Sequence, residues 1–284
     1  MTRIPYNKPH ASATDRVAHL IGRGLIVADP AAAEQEIDLI GYERLRIYFI
    51  SRRQIRLPSR PFIAGTTYEE IIALYQCDAQ LRDLVFGTVG RFEILLRNAL
   101  SEVLSDRYSG HPYFTADAFK DTISNMVALK MFSEICGKSK DERAKHYFRT
   151  YSEPALPPIW TVKEFLTFGE ASRLFPLLSS SVRTDIAAAF GVASHETFAN
   201  WVECLVDIRN ICAHHGRLFN RSFQKQPSTY RRGGVPTAQR NKLKAVLECL
   251  DYMMSQRGAG EGITAQVAST INLFPAMRPA DAGY

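Results

Sequence analysis

The chain has 284 residues, of which 46% are hydrophobic and 23% charged, with a formal net charge of +6 and a pI near 9.1. This is the make-up of a soluble globular protein that can bury a substantial core without disulfides or metals. It excludes a bilayer-spanning chain, since no apolar stretch is long enough, and a secretory leader, since Arg3, Lys8, Asp15 and Arg16 interrupt the start. The five cysteines are odd in number and form no C-x-x-C pair. They predict a reduced, cytoplasmic protein whose thiols are buried as small hydrophobes. The basic bias points toward an anionic partner.

Helix signals dominate in chain order. Asp29-Pro30 is an N-cap followed by proline at the first helical position, and it opens a helix toward Ile40. The chain pauses at Gly41 and resumes through Ile50. Thr67 and Glu70 have capping-box spacing and open a long helix from Tyr68 to about Tyr108. Leu81, Leu84, Val85, Val89, Phe92, Leu96, Ala99, Leu100 and Val103 keep a 3–4 spacing along it. Gly87 and Gly90 predict a bend or a closely packed neighbour. Helices at about 116–135 and 141–151 follow. Pro154, Pro157 and Pro158 make a stiff break. Thr161 and Glu164 read as a second capping box with a helix to about Leu178. A short helix from Val182 to Phe190 closes at Gly191. Ser194 caps a helix over 196–215, with Gly216 as its C′ residue, and Gln239 to Gln256 is another. Strand signals are scarce and no repeat is present. The expected architecture is one all-α domain over 1–284, a multi-helix bundle with additional N- and C-terminal helices. The alternative division is a helical N-terminal subdomain at 1–60 or a boundary at the proline break 154–158.

The segment Arg209-Asn210-Ile211-Cys212-Ala213-His214-His215-Gly216-Arg217-Leu218-Phe219-Asn220-Arg221 carries the chemistry. An imidazole can move protons near neutral pH, and guanidinium groups can hold a phosphate, so this is a kit for cutting RNA. With Phe198 as zero and 100° per residue, Trp201, Val202, Leu205, Ile208 and Cys212 form a core face. Arg209 lies inside that face, at about 20°, where an unpaired guanidinium is costly. Glu203, Asp207, Asn210 and His214 lie opposite, so Arg209 and His214 are about 140° apart. The structural alternative is that Arg209 pairs with Glu93 or Asp207 while His214 caps the helix end. His214-His215 lacks the Cys or carboxylate companions of a familiar metal spacing, so no metal or other cofactor is expected.

Charge around the segment favours a polyanion. From Arg209 to Leu247 there are nine Lys or Arg and no acid, with Phe219, Phe223 and Tyr230 interleaved as candidate base-stacking rings. Arg44 to Arg60 holds six arginines and no acid. A charge run is more often a solvated face. No G-x-S-x-G, P-loop or dinucleotide fingerprint is present. The Arg107–His111 pairing reads as structural.

Arg209 to Arg221 resembles the R-N-x-x-A-H-H-x-R-L-x-N-R signature of Abi-like abortive-infection proteins of bacteria, placed in the HEPN superfamily of α-helical nucleases. The resemblance extends through Lys8-Pro9, Gly22-Arg23-Gly24-Leu25, Ile40-Gly41-Tyr42-Glu43-Arg44-Leu45 and Gly65-Thr66-Thr67-Tyr68. It continues in Leu74-Tyr75, Asp78, Leu81-Arg82 and the E-x-x-x-R segment Glu93–Arg97. Pro157-Pro158-Ile159-Trp160, Glu164 and Thr167-Phe168-Gly169-Glu170 complete it. Cys77 stands where an aromatic residue is more usual, Phe219 where Trp is common, and Glu43 where a second Tyr more often follows Tyr42.

The resemblance implies a metal-independent endoribonuclease whose R-x4-H motif acts from two copies across a homodimer, in phage defence. Carried over, Arg209 holds the scissile phosphate, His214 is general base or acid, and Asn210 orients one of them. His215, Arg217, Asn220 and Arg221 shape the phosphate site. Arg231 and Arg232 belong to the same expected RNA footprint by charge. RNA is then the substrate and an RNA is also a conceivable regulator. The competing readings are a non-catalytic RNA-binding or scaffold protein of the superfamily and the toxin of a toxin–antitoxin pair.

Overall fold

Helices begin where a short polar side chain can take the first free backbone N–H groups. Ser12, Asp29, Asp121, Asp141, Thr167 and Ser194 each do so at the head of a helix. The structure, a computed structural model, describes Pro5 and residues 9–284; Lys8 and Arg3 lie outside the described residues. Among the described residues it holds thirteen α-helices, short 3-10 turns and four isolated β-bridges, so the fold is all-α. The helices are α1 (Ala13–Ile21), α2 (Pro30–Ile40), α3 (Tyr42–Ser51), α4 (Tyr68–Tyr108), α5 (Thr122–Lys138), α6 (Glu142–Thr150) and α7 (Ile159–Val162). They continue with α8 (Phe168–Leu174), α9 (Ser180–Ala189), α10 (His195–Ala213), α11 (Leu243–Gln256), α12 (Ile263–Asn272) and α13 (Pro279–Ala282). None is long and apolar enough to cross a membrane.

Several expected starts move for a local reason. α5 starts at Thr122 rather than near 116, because Asp121 accepts the Ser124 N–H at 2.7 Å and residues 112–118 form two 3-10 turns. The second capping box is at Thr167–Glu170, complete in both halves, and not at Thr161–Glu164. Glu164 instead faces Lys163 at 3.5 Å and Arg143 at 4.0 Å. The Thr67–Glu70 box is half made. Thr67 Oγ1 accepts the Glu70 N–H at 3.1 Å, while the Glu70 carboxylate takes Arg52 Nε at 2.7 Å. α4 runs through Gly87 and Gly90 without interruption, and a Cβ at either would meet only ordinary contacts or open space, so neither marks a close approach.

The chain groups into two compact units: the residues up to Gln80 with Thr270–Arg278, and Leu81–Ser269 with Pro279–Tyr284. The first reaches beyond the subdomain considered at 1–60, and the prolines at 154–158 fall inside the second, where they divide nothing. In the first unit Phe49 packs its ring against Tyr42, Phe62 and Tyr68, and Tyr48 donates to the buried Asp78 at 2.6 Å. Arg52 is 6% exposed, held by Glu70 and the Ala276 carbonyl, and Arg53 lies over the Phe62 ring at 4.7 Å. Arg46 pairs with Glu43 at 2.9 Å. Of the six arginines in the 44–60 run, Arg52 and Arg53 are therefore internal fabric, while Arg46 is exposed but paired.

A line of rings organises the second unit. Phe168 of α8 meets Phe92 of α4 at 6.1 Å, and Phe92 meets Phe190 at 5.4 Å. Phe190 meets Phe198 of α10 at 5.1 Å, and Phe198 meets Phe175 at 5.2 Å. All five are buried. Each such pair adds roughly 0.5–1.5 kcal/mol to the burial of its area. This line fixes α10 against α4. Trp201, fully buried, fixes its other flank by donating Nε1–H to the Ser228 carbonyl at 2.8 Å.

Candidate functional site

α10 buries Phe198, Trp201, Val202, Cys204, Leu205, Ile208 and Cys212, which is the face expected from its period. Arg209 sits beside that face with its side chain one-third exposed. Its Nε lies 3.9 Å from Oε2 of Glu93 on α4, its Nη1 donates to Asn210 Oδ1 at 3.4 Å, and its guanidinium carbon stands 5.7 Å from the Phe86 ring centre. Glu93 also lies 3.8 Å from Arg97, which donates to the Leu166 carbonyl at 2.9 Å. The E-x-x-x-R segment and the R-x4-H segment thus meet at one carboxylate. Of the two acids considered for Arg209, Glu93 is the partner. Asp207 takes Lys225 instead, at 3.4 Å, with Glu203 at 3.7 Å from the same ammonium.

His214 follows the last helical residue. Its N–H bonds the Asn210 carbonyl at 3.0 Å. His214 thus holds the C-cap position expected of the structural alternative, through its backbone, while its ring is exposed and makes no hydrogen bond or ion pair among the described residues. The helix is closed by backbone. His215 donates to the Cys212 carbonyl at 3.0 Å and Gly216 to that of Ile211 at 2.7 Å, the two bonds of a Schellman closure. The left-handed C′ residue is therefore His215, with φ of 52°, and not Gly216. A non-glycine residue there costs roughly 1–2 kcal/mol. Gly216 has its own reason, since a Cβ would come within 3.1 Å of the Ile211 carbonyl oxygen.

Downstream side chains build the loop. Arg217 Nη1 donates to the carbonyls of Phe219 and Asn220, at 2.5 and 2.8 Å. Arg221 donates to the Arg217 carbonyl at 3.3 Å and lies over Phe223. Asn220 takes a left-handed φ of 45° and bonds the Asp281 carbonyl through its N–H. Phe219, Phe223 and Tyr230 are buried, at 0%, 8% and 8% exposure, so none offers a face to a base. Arg231 and Arg232 occupy an exposed 3-10 turn and form no ion pair among the described residues. Among the described residues no hydrogen bond or ion pair joins them, or the His214 ring, to Arg209 or Asn210.

Asn210 opens on a cleft of about 1100 Å³ between α5, α8 and α10. Its charged lining mixes Lys130, Arg173 and Lys225 with Glu134, Glu170 and Glu203. The acid-free run is thus balanced in space by acids from the helix before it. All five cysteines are free and buried, and burial pushes the Cys77 and Cys204 thiols up to about 12 and Cys136 to about 11, which keeps them unreactive. No group of three side chains able to hold a metal ion forms among the described residues.

A family model described as "Abi-like protein" matches residues 36–220, most of the chain, from within α2 to Asn220 of the motif segment. No curated protein and no solved structure matches.

Proposed function

The chain belongs to the family of Abi-like proteins, of abortive-infection type, and from that premise we propose that it is a metal-independent endoribonuclease of the HEPN kind, an effector of bacterial anti-phage defence. The observation that carries this reading is the end of α10. There Arg209 is braced by Glu93 and Asn210, while the imidazole of His214 is exposed and unengaged.

The proposed chemistry follows from these atoms. His214 accepts the proton of an RNA 2′-hydroxyl. The 2′-oxygen attacks the adjacent phosphorus, and the 5′-oxygen of the next nucleotide leaves with a proton from an imidazolium or water. The products are a 2′,3′-cyclic phosphate and a 5′-hydroxyl. Arg209 Nη2 makes no hydrogen bond among the described residues and would rest on a non-bridging oxygen, where charge grows. Asn210 would hold the guanidinium in that orientation. His215, Arg217, Asn220 and Arg221 would act through the loop they shape, Arg217 chiefly by fixing its carbonyls. The two motif residues lie on different sides of α10, so a two-fold dimer with a composite site is part of the proposal.

The test is end-group analysis of RNA incubated with the purified protein in EDTA. Cleavage should persist and yield 2′,3′-cyclic termini. Loss of cleavage in EDTA, with rescue by Mg²⁺ or Mn²⁺, would select a metal-dependent route. Complete inertness toward RNA that the protein still binds would select the non-catalytic scaffold.

Binding should be strongly salt-dependent, because phosphate contacts release counterions. Arg231→Ala with Arg232→Ala is expected to weaken all RNA sequences alike. It should flatten the plot of log affinity against log salt by up to about two contacts. Equal slopes for the wild type and the double variant would make this turn ordinary solvated surface.

A further inference from the structure

A second cleft in the Leu81–Ser269 unit, of about 620 Å³, shares no lining residue with the motif segment. Its walls include His111, Arg143, His146, Tyr147, Tyr151 and Trp160. We propose that it binds an unpaired nucleobase, of an RNA strand or of a free nucleotide, stacked on Trp160 and Tyr151. The choice of ligand rests on the RNA reading above, whereas the test reads binding alone.

The rings are available and held. Trp160 and Tyr151 are each 52% exposed, unlike the buried aromatics that follow the motif. The far edge of the Trp160 indole lies against Gly110, where a Cβ would come within 2.8 Å of its Cη2 and 3.4 Å of the Pro158 Cβ. The Ile159 N–H donates to the Gly110 carbonyl at 2.8 Å and pins the same segment. Tyr147 lies beneath Tyr151 at 5.2 Å and donates to the Pro154 carbonyl at 2.7 Å. A ring anchored along one edge and open on another is a preorganised stacking platform, and base stacking on such rings is tolerant of sequence.

Polar groups line the same cleft. Burial holds the pKa of the His111 ring below the usual histidine value. Its Nε2 is buried without a protein partner. Between Lys138 and Tyr151 there are five Lys or Arg and two acids. Both acids are bonded within the segment, Asp141 to Arg143 at 2.9 Å and Glu142 to Lys145 at 2.7 Å. Lys140 and Arg149 are exposed and outside any ion pair among the described residues, and neither lines the cleft. The charged wall is mixed, with Arg143 beside the carboxylates Glu142 and Glu153. The volume suits a nucleotide-sized ligand.

The chain has two tryptophans, and Trp201 is fully buried, so quenching by a surface ligand reads Trp160. The full-length His214→Ala protein, which leaves an oligonucleotide whole, is titrated with AMP, hexa-adenylate, ribose 5-phosphate and choline while indole emission is followed. Saturable quenching by a base-bearing ligand and none by ribose 5-phosphate is the expected result. AMP and hexa-adenylate binding alike marks a nucleotide site, and hexa-adenylate alone marks an RNA subsite. Tyr151→Ala should weaken binding roughly tenfold, and Tyr151→Phe, which keeps the ring, should restore it. Three results would overturn the proposal: no saturable quenching, equal quenching by ribose 5-phosphate, or saturation by choline but not AMP. If these occur while the wild type still cleaves RNA, only the cleft is lost. Base binding without any cleavage by the wild type would remove the nuclease reading instead.

Discussion

His214→Ala should lower RNA cleavage by about 10²–10⁴-fold, the range typical of a lost general base or acid, and leave the fold unchanged. The separation of the two effects is what makes the variant informative. The ring is exposed and bonded to nothing described, and the helix end is closed by backbone bonds from His215 and Gly216. Helical circular dichroism and the unfolding midpoint should therefore match the wild type. A folded His214→Ala protein with full activity would sink the mechanism. Arg209→Ala is less clean. It takes one of two guanidinium groups from Glu93, which is 12% exposed, so some stability should be lost along with activity. Arg209→Lys keeps the charge but loses the planar fork, and should recover the midpoint more than the rate.

Local signals were legible in the sequence, and spatial ones were not. The Asp29–Pro30 and Ser194 starts, and the 41-residue α4 from Tyr68 to Tyr108, follow from caps and apolar period that act within a few residues. The core face of α10 follows from the same period. What failed had competing partners far along the chain. Glu70 was claimed by Arg52, so its capping box is half made. Glu203 and Asp207 balance Lys225, so an acid-free run in sequence is not an acid-free surface. Phe219, Phe223 and Tyr230 look like stacking residues between basic neighbours, yet they are core. Gly216 has the residue type of a left-handed cap, but its lack of a Cβ is needed one step later, against Ile211, and His215 takes the strained position. The place of Glu93 was half visible. An arginine on an apolar stripe demands a carboxylate, and Glu93 already stood in a spaced pair with Arg97.

Two inactive variants mixed together should recover activity. Arg209 and His214 are about 140° apart on the helix, and no hydrogen bond or ion pair joins the guanidinium to the imidazole within one chain among the described residues. If a working site takes the arginine of one copy and the histidine of the other, Arg209→Ala and His214→Ala protomers complement. A mixed dimer then holds one dead site, lacking both groups, and one complete site. Random exchange makes half of the dimers mixed, with one working site in two, so the mixture should reach roughly a quarter of wild-type activity. The measurement is RNA cleavage after the two variants are unfolded together and refolded, with each variant alone as baseline. Recovery should rise with protein concentration as dimers form. A mixture that stays at baseline while light scattering shows exchanged dimers would place both groups of each site in a single chain. The exposed His214 ring would then have to reach across the end of its own helix to a phosphate held on Arg209.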